Sequence, residues 1–228
     1  MPKPKLIIFA SGTKEGGGSG FENLVLRSRG ENPDLVADIV AVVSNHEQGG
    51  VRKRADKLGV RFLHFKPSGD GPLAQAAAYQ RLLRETGAEW TALSGWLKLV
   101  KGLDPKRTIN IHPALLSQLG GRFGGPGMYG HHVHEALKKA LDNNEVTESG
   151  FTMHFVTDEY DKGPAFAEVR VLIRAGMSAD EIGKVVNTAE HQWQPKLTHM
   201  VIHKEIAWDG HNASSLTLPA FYKCTPLQ

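Results

Sequence analysis

The chain has 228 residues and a mass of 24.9 kDa, room for one domain with a substantial core and a tight fit for two. Hydrophobic residues at 40%, charged residues at 22% and a mean hydropathy of -0.30 exclude wholesale disorder and fit an ordinary soluble globular protein. A net charge of +3, spread without a long basic run, implies neither nucleic acid nor an anionic membrane and leaves a small anionic substrate open.

In chain order, Leu6 to Ala10 is an apolar run too short for a signal peptide or a membrane span, and it predicts a buried strand. Further strands are expected at Ala37–Val43, Arg61–Phe65, Trp90–Leu93 and Thr108–Ile111. Between them Phe21–Arg29, Gln48–Leu58 and Leu73–Glu85 carry apolar residues at helical spacing, with Gly30, Gly59 and Gly87 where helices end. A helix over His134–Leu141 precedes strands at Phe151–Thr157 and Phe166–Ile173. A long helix follows Ser178, which forms a capping box with Glu181, and it runs past Trp193 despite Pro195. The tail from Glu205 to Gln228 packs on the surface or forms an edge hairpin. The strand–helix rhythm predicts one α/β domain over residues 1–228, a mostly parallel twisted sheet with helices on both faces. The single cysteine, Cys224, excludes an intrachain disulfide and a multi-cysteine metal site, and it fits a reducing, cytoplasmic setting.

Glycines cluster in two stretches, 12–20 and 120–130. The first lies between a strand and a helix, the layout of a phosphate cradle. Positive φ lets successive N–H groups and the positive helix end point at one anion. The stretch fits neither the dinucleotide fingerprint, whose ribose-holding acid is replaced by Ser44-Asn45, nor the P-loop, since Gly18 rather than Lys precedes Ser19. A long connecting loop is the alternative.

Asn110-Ile111-His112-Pro113 ends a strand, where open α/β sheets place ligands. Alternation puts Asn110 and His112 on one side, so an amide N–H for a developing oxyanion accompanies an imidazole able to move a proton. No nucleophile elbow goes with them, which favours direct attack on a carbonyl by a bound amine or water. A turn-forming Asn and a satisfied core His is the competing reading. From His154 to Pro164 a strand runs into a loop with three carboxylates, Asp158, Glu159 and Asp161, able to orient an imidazolium or to form only an exposed acidic turn. His131, His132 and His134 lack an acid or cysteine partner in the pattern, so they read as helix entry or active-site wall, and no metal is expected.

In order, Ser11-Gly12 with its glycine loop, Leu93-Ser94-Gly95-Trp96-Leu97, Asn110-Ile111-His112-Pro113-Ala114-Leu115-Leu116, His154-Phe155-Val156-Thr157-Asp158-Glu159 with Asp161-Lys162-Gly163-Pro164, and Glu190-His191 resemble the phosphoribosylglycinamide formyltransferases. The resemblance spans about residues 5 to 205. It implies formyl transfer from 10-formyltetrahydrofolate, a co-substrate, to the amine of glycinamide ribonucleotide in purine synthesis. It also implies the formyltransferase fold. On the matching positions Asn110 would stabilise the oxyanion, His112 assist as acid, and Asp161 orient it and relay protons. Amides of Gly18, Ser19 and Gly20 would hold the substrate phosphate and Glu190 its ribose or glycinamide part. The folate would lie against Trp96, Leu97, Lys98 and Val100 and against Val156, Thr157 and Asp158, largely through backbone groups. The sequence departs from the family pattern in a longer first loop, an enlarged segment over 117–130, Asn187 in place of a common glutamine and Lys98 in place of a common arginine.

The resemblance implies small-molecule substrates and a monomer or homodimer. Two relatives with the same chemistry compete. Methionyl-tRNA formyltransferase would carry a further C-terminal domain and formyltetrahydrofolate deformylase an N-terminal regulatory one; this length is expected to hold neither. A non-catalytic sugar-phosphate-binding module is the third reading, and it would leave Asn110, His112 and Asp161 apart in space.

Overall fold

A computed structural model describes residues 2–67 and 70–220. Cys224 and the last eight residues of the expected tail lie outside the described residues. One sheet organises the rest, with strand order β3-β2-β1-β4-β5-β6-β7. The strands are β1 (Lys5–Phe9), β2 (Asp38–Ser44), β3 (Phe62–His64), β4 (Trp90–Ser94), β5 (Thr108–His112), β6 (Glu148–Phe155) and β7 (Ala165–Leu172). The first five pair in parallel, whereas β6 runs antiparallel to both β5 and β7. The expected parallel sheet is therefore extended by an antiparallel edge.

Strand alternation sorts β1 between two cores. Leu6 and Ile8 join the larger cluster, which α1 (Ser19–Arg27), α2 (Gly50–Leu58), α4 (His131–Asp142) and α5 (Ala179–Ile202) cover. Ile7 and Phe9 join the smaller one, where α3 (Pro72–Thr86) contributes Tyr79 and Leu82. Helices thus lie on both faces, as the rhythm predicted. Trp96 closes the smaller cluster, edge-on to Phe9 and donating its Nε1–H to the Tyr79 hydroxyl at 3.1 Å.

Several helix boundaries move from the sequence expectation. Gly59 and Gly87 do cap α2 and α3 in the left-handed region, but α1 ends at Arg27 with Ser28 as its cap, leaving Gly30 in the turn beyond. Helix α4 starts at His131 rather than His134, because the apolar stripe that betrays it begins only at Val133. The Ser178–Glu181 capping box is present, and α5 continues through Pro195. A proline cannot donate to the carbonyl four residues back. That carbonyl, His191 O, accepts instead from Asn23 Nδ2 of α1 at 2.8 Å. Beyond α5 the chain turns back on itself through an antiparallel bridge between Ala207 and Thr217, and Trp208 packs on Phe155.

The strand order reverses direction at β1, flanked by β2 and β4. Crevices at the carboxyl ends of such strands are where this architecture binds ligands.

Candidate active site

A cleft opens there, lined by residues after β1, β4, β5 and β6 and along one side of α5. Its floor is tied together by short hydrogen bonds: the Ser11 amide donates to Gly95 O at 2.9 Å, and the Leu97 amide donates to Ser11 Oγ at 3.0 Å.

Gly18, Ser19 and Gly20 line the cleft. Gly18, at φ +82°, begins α1, and no side chain caps that helix. Its first-turn amides therefore stand at the cleft with the positive pole of the helix behind them. A Cβ at Gly20 would drive into Ser94 Oγ, which would have to shift. Ser94 and Gln194 are buried partners, with Gln194 Nε2 3.1 Å from Ser94 Oγ. Sequence reasoning did not single out this pair.

Helix α5 sends Gly183, Asn187, Glu190 and Gln194 into the cleft, a stripe at helical spacing. Asn187 Nδ2 donates to Glu190 Oε2 at 3.1 Å. Burial pushes the Glu190 carboxyl up to about 7 against the lowering effect of that bond.

Asn110, His112, His154 and Asp161 meet in the same cleft. Asn110 and His154 stand opposite each other in the β5–β6 register, and Asn110 Nδ2 lies 3.0 Å from His154 Nε2. The Nδ1–H of His154 donates to Phe155 O at 2.7 Å, so its other nitrogen is the one turned to Asn110 and to Asp161 Oδ1, 3.4 Å away. Asp161 Oδ2 faces His112 Nδ1 at 3.7 Å and accepts the Gly125 amide at 2.8 Å. The loop returns Asp161 over the sheet because Gly163 lies against the end of β6, where any Cβ would enter Phe155 O. Asp161 itself sits at φ +53°, a conformation aspartate tolerates better than most residues.

Burial alone would raise the Asp161 carboxyl, but the neighbouring His154, His112 and the Gly125 amide together hold it below its ordinary value. Burial lowers His112 despite Asp161 beside it. At neutral pH the pair is a carboxylate facing a neutral imidazole, poised to accept a proton.

The remaining expected residues divide. Trp96, Leu97, Lys98, Val100, Val156 and Thr157 line the cleft. Asp158 does not: it lies on a smaller adjoining cavity, where its backbone oxygen accepts from Lys101 Nζ. His131 and His132 occupy the first turn of α4 and face Glu135, and His131 also faces Asp180. His134 lines the cleft, and burial first, then His131 and His112, push it down to about 4. Among the described residues no group of three or more His, Cys, Asp or Glu side chains could hold a metal ion. Likewise no described helix is long and apolar enough to cross a membrane. His154 carried no role of its own in the sequence reading; the signal for it was its place in the strand leading to Asp161.

Fold and site define a doubly wound α/β protein in which a buried histidine–carboxylate cluster and an uncapped helix start line one crevice. Residues 4–198 match the family described as formyl transferase. The chain is 32% identical over 212 residues to the chloroplastic phosphoribosylglycinamide formyltransferase of Arabidopsis thaliana, covering 90% of this chain and 68% of that protein. It is 30% identical over 212 residues to phosphoribosylglycinamide formyltransferase of Escherichia coli, covering 82% and 94% respectively. The crystal structure of glycinamide ribonucleotide transformylase 1 from Symbiobacterium toebii shares the fold, with a TM-score of 0.78 at 24% identity over 95% of this chain and 94% of that one. The chain belongs to the formyl transferase family.

Proposed function

We propose that the protein transfers the formyl group of 10-formyltetrahydrofolate to the amine of glycinamide ribonucleotide, as the names of its relatives suggest. The observation that carries this reading is the meeting of Asn110, His112, His154 and Asp161 in a cleft that the uncapped start of α1 also lines. The same meeting argues against a merely sugar-phosphate-binding module. In this reading the amides of Gly18, Ser19 and Gly20 hold the phosphate and Glu190 the ribose or glycinamide part. Trp96, Leu97, Lys98, Val100, Val156 and Thr157 wall the folate, with Asp158 outside the main cleft.

The amine lone pair attacks the formyl carbon, and the carbonyl electrons move onto oxygen, where an Asn110 N–H not engaged by His154 stabilises the charge. Neutral His112 takes the amine proton, and the resulting imidazolium is held by Asp161. As the bond to the folate nitrogen breaks, His112 returns the proton to that nitrogen, leaving tetrahydrofolate and the formylated product. The enzyme acts on these small molecules as a monomer or homodimer. The lone cysteine supports a cytoplasmic setting.

The test is an assay of purified protein with 10-formyltetrahydrofolate and glycinamide ribonucleotide, run beside methionyl-tRNA and water as acceptors. Formylation of the ribonucleotide alone is expected. Preferential tRNA formylation or formate release would replace this reading with one of its relatives.

A further inference from the structure

The enlarged segment between β5 and α4 touches both His112 and Asp161 with backbone groups. His112 Nε2 donates to Phe123 O at 2.6 Å, and two residues on the Gly125 amide donates to Asp161 Oδ2, the same oxygen that faces His112. From Leu116 to Gly130 only Phe123 is buried, at 0% exposure in the larger core. Ser117 bonds Glu168, Gln118 bonds Glu148 O and Arg122 pairs with Glu145 at the surface, but Phe123 is the one fully buried anchor, with Gly121 and Gly125 in positive-φ turns on either side of it at +86° and +88°.

We infer that Phe123 is a positioning residue: its buried ring anchors its own carbonyl on His112 Nε2 and the Gly125 amide on Asp161. A carbonyl oxygen only accepts, so Nε2 carries a proton in both charge states of the imidazole. Nδ1, the nitrogen facing Asp161, is then the one site where His112 gains and loses a proton. Without the carbonyl a neutral imidazole distributes its proton over both nitrogens, and part of the population presents an N–H where the reaction needs a base. The His112 side chain is 5% exposed, so solvent does not stand in for the lost partner. For catalysis this inference rests on the formyl-transfer reading; for the tautomer it does not.

The experiment is long-range 1H–15N correlation of the full chain with 15N-labelled histidine, His112 being assigned through His112→Gln, together with steady-state kinetics. Wild type is expected to show neutral His112 as the Nε2–H tautomer. Phe123→Leu, which refills the anchor, keeps that tautomer and holds kcat within about threefold, whereas Phe123→Ala shows both tautomers and loses about tenfold or more in kcat with KM for both substrates little changed. A wild-type Nδ1–H tautomer overturns the proposal, as does a folded Phe123→Ala protein with wild-type tautomer and kcat. Should Phe123→Ala not fold, the wild-type spectrum and Phe123→Leu still decide the point. An Nε2–H tautomer in a protein that transfers no formyl group sinks the transfer reading and leaves the positioning geometry standing.

Discussion

Asp161→Asn is the sharpest perturbation of the proposed proton-transfer centre, because it removes a charge while keeping shape. The Asn Oδ1 can still accept the Gly125 amide, so the loop is expected to hold its course. What disappears is the field that favours imidazolium on His112 as the tetrahedral intermediate forms. Unit charges 3.7 Å apart interact by about 4 kcal/mol at an effective dielectric of about 20, roughly a thousandfold in rate. The dipole of the new amide and residual solvent return part of that, so a loss of about a hundredfold to a thousandfold in kcat is expected. KM for both substrates should move little, since the charge is used after binding. Steady-state formyl transfer, followed by the absorbance change on release of tetrahydrofolate, measures both. A variant within about tenfold of wild type in kcat, or one whose entire loss falls in KM, refutes the proposed role of Asp161.

Three further outcomes follow from the geometry. His112→Ala should also lose at least about a hundredfold in kcat at little changed KM, and full activity would remove His112 from the mechanism. Glu190→Gln should stabilise the protein at pH 8 by about 2 kcal/mol after discounting for partial exposure, because the folded carboxyl is raised to about 7 and its ionised form is the strained one. Since the folded state holds that proton more tightly than the unfolded one, the gain should shrink below pH 7 and vanish near the unfolded value of about 4.3, while KM for glycinamide ribonucleotide rises; a pH-independent Tm difference contradicts the assignment. Gly20→Ala should cost about 1–3 kcal/mol by denaturant unfolding and raise the ribonucleotide KM, because the added methyl enters the space of Ser94 Oγ; an unchanged KM would place the phosphate elsewhere.

The parts of this molecule readable from sequence were those written in residue types at a fixed period. The strand–helix rhythm forecast helices on both faces, alternation in β5 the shared face of Asn110 and His112, and the Ser178–Glu181 box the start of α5. What escaped was carried by pairing and by backbone. His154 meets Asn110 only because β6 runs antiparallel to β5, and no local pattern announces strand direction. The groups that reach His112 and Asp161 from the enlarged segment are a carbonyl and an amide, which every residue there possesses. Asp158 shares the acidic run with Asp161, yet the turn that lifts one over the sheet carries the other toward Lys101. Family resemblance gave the two carboxylates different roles, and the folded geometry takes Asp158 out of the cleft lining.

Pro195 also has a mechanical consequence. Helix α1 supplies the amides proposed to take phosphate, and α5 supplies Glu190. Apolar surfaces alone would let two such helices slide by fractions of an ångström, because dispersion contacts have little direction. The carbonyl that Pro195 frees, captured by Asn23, sets a directional stop against that sliding. The hydrogen bond thereby ties the helix whose start is proposed to take the phosphate to the helix that carries Glu190, through a residue outside the cleft lining.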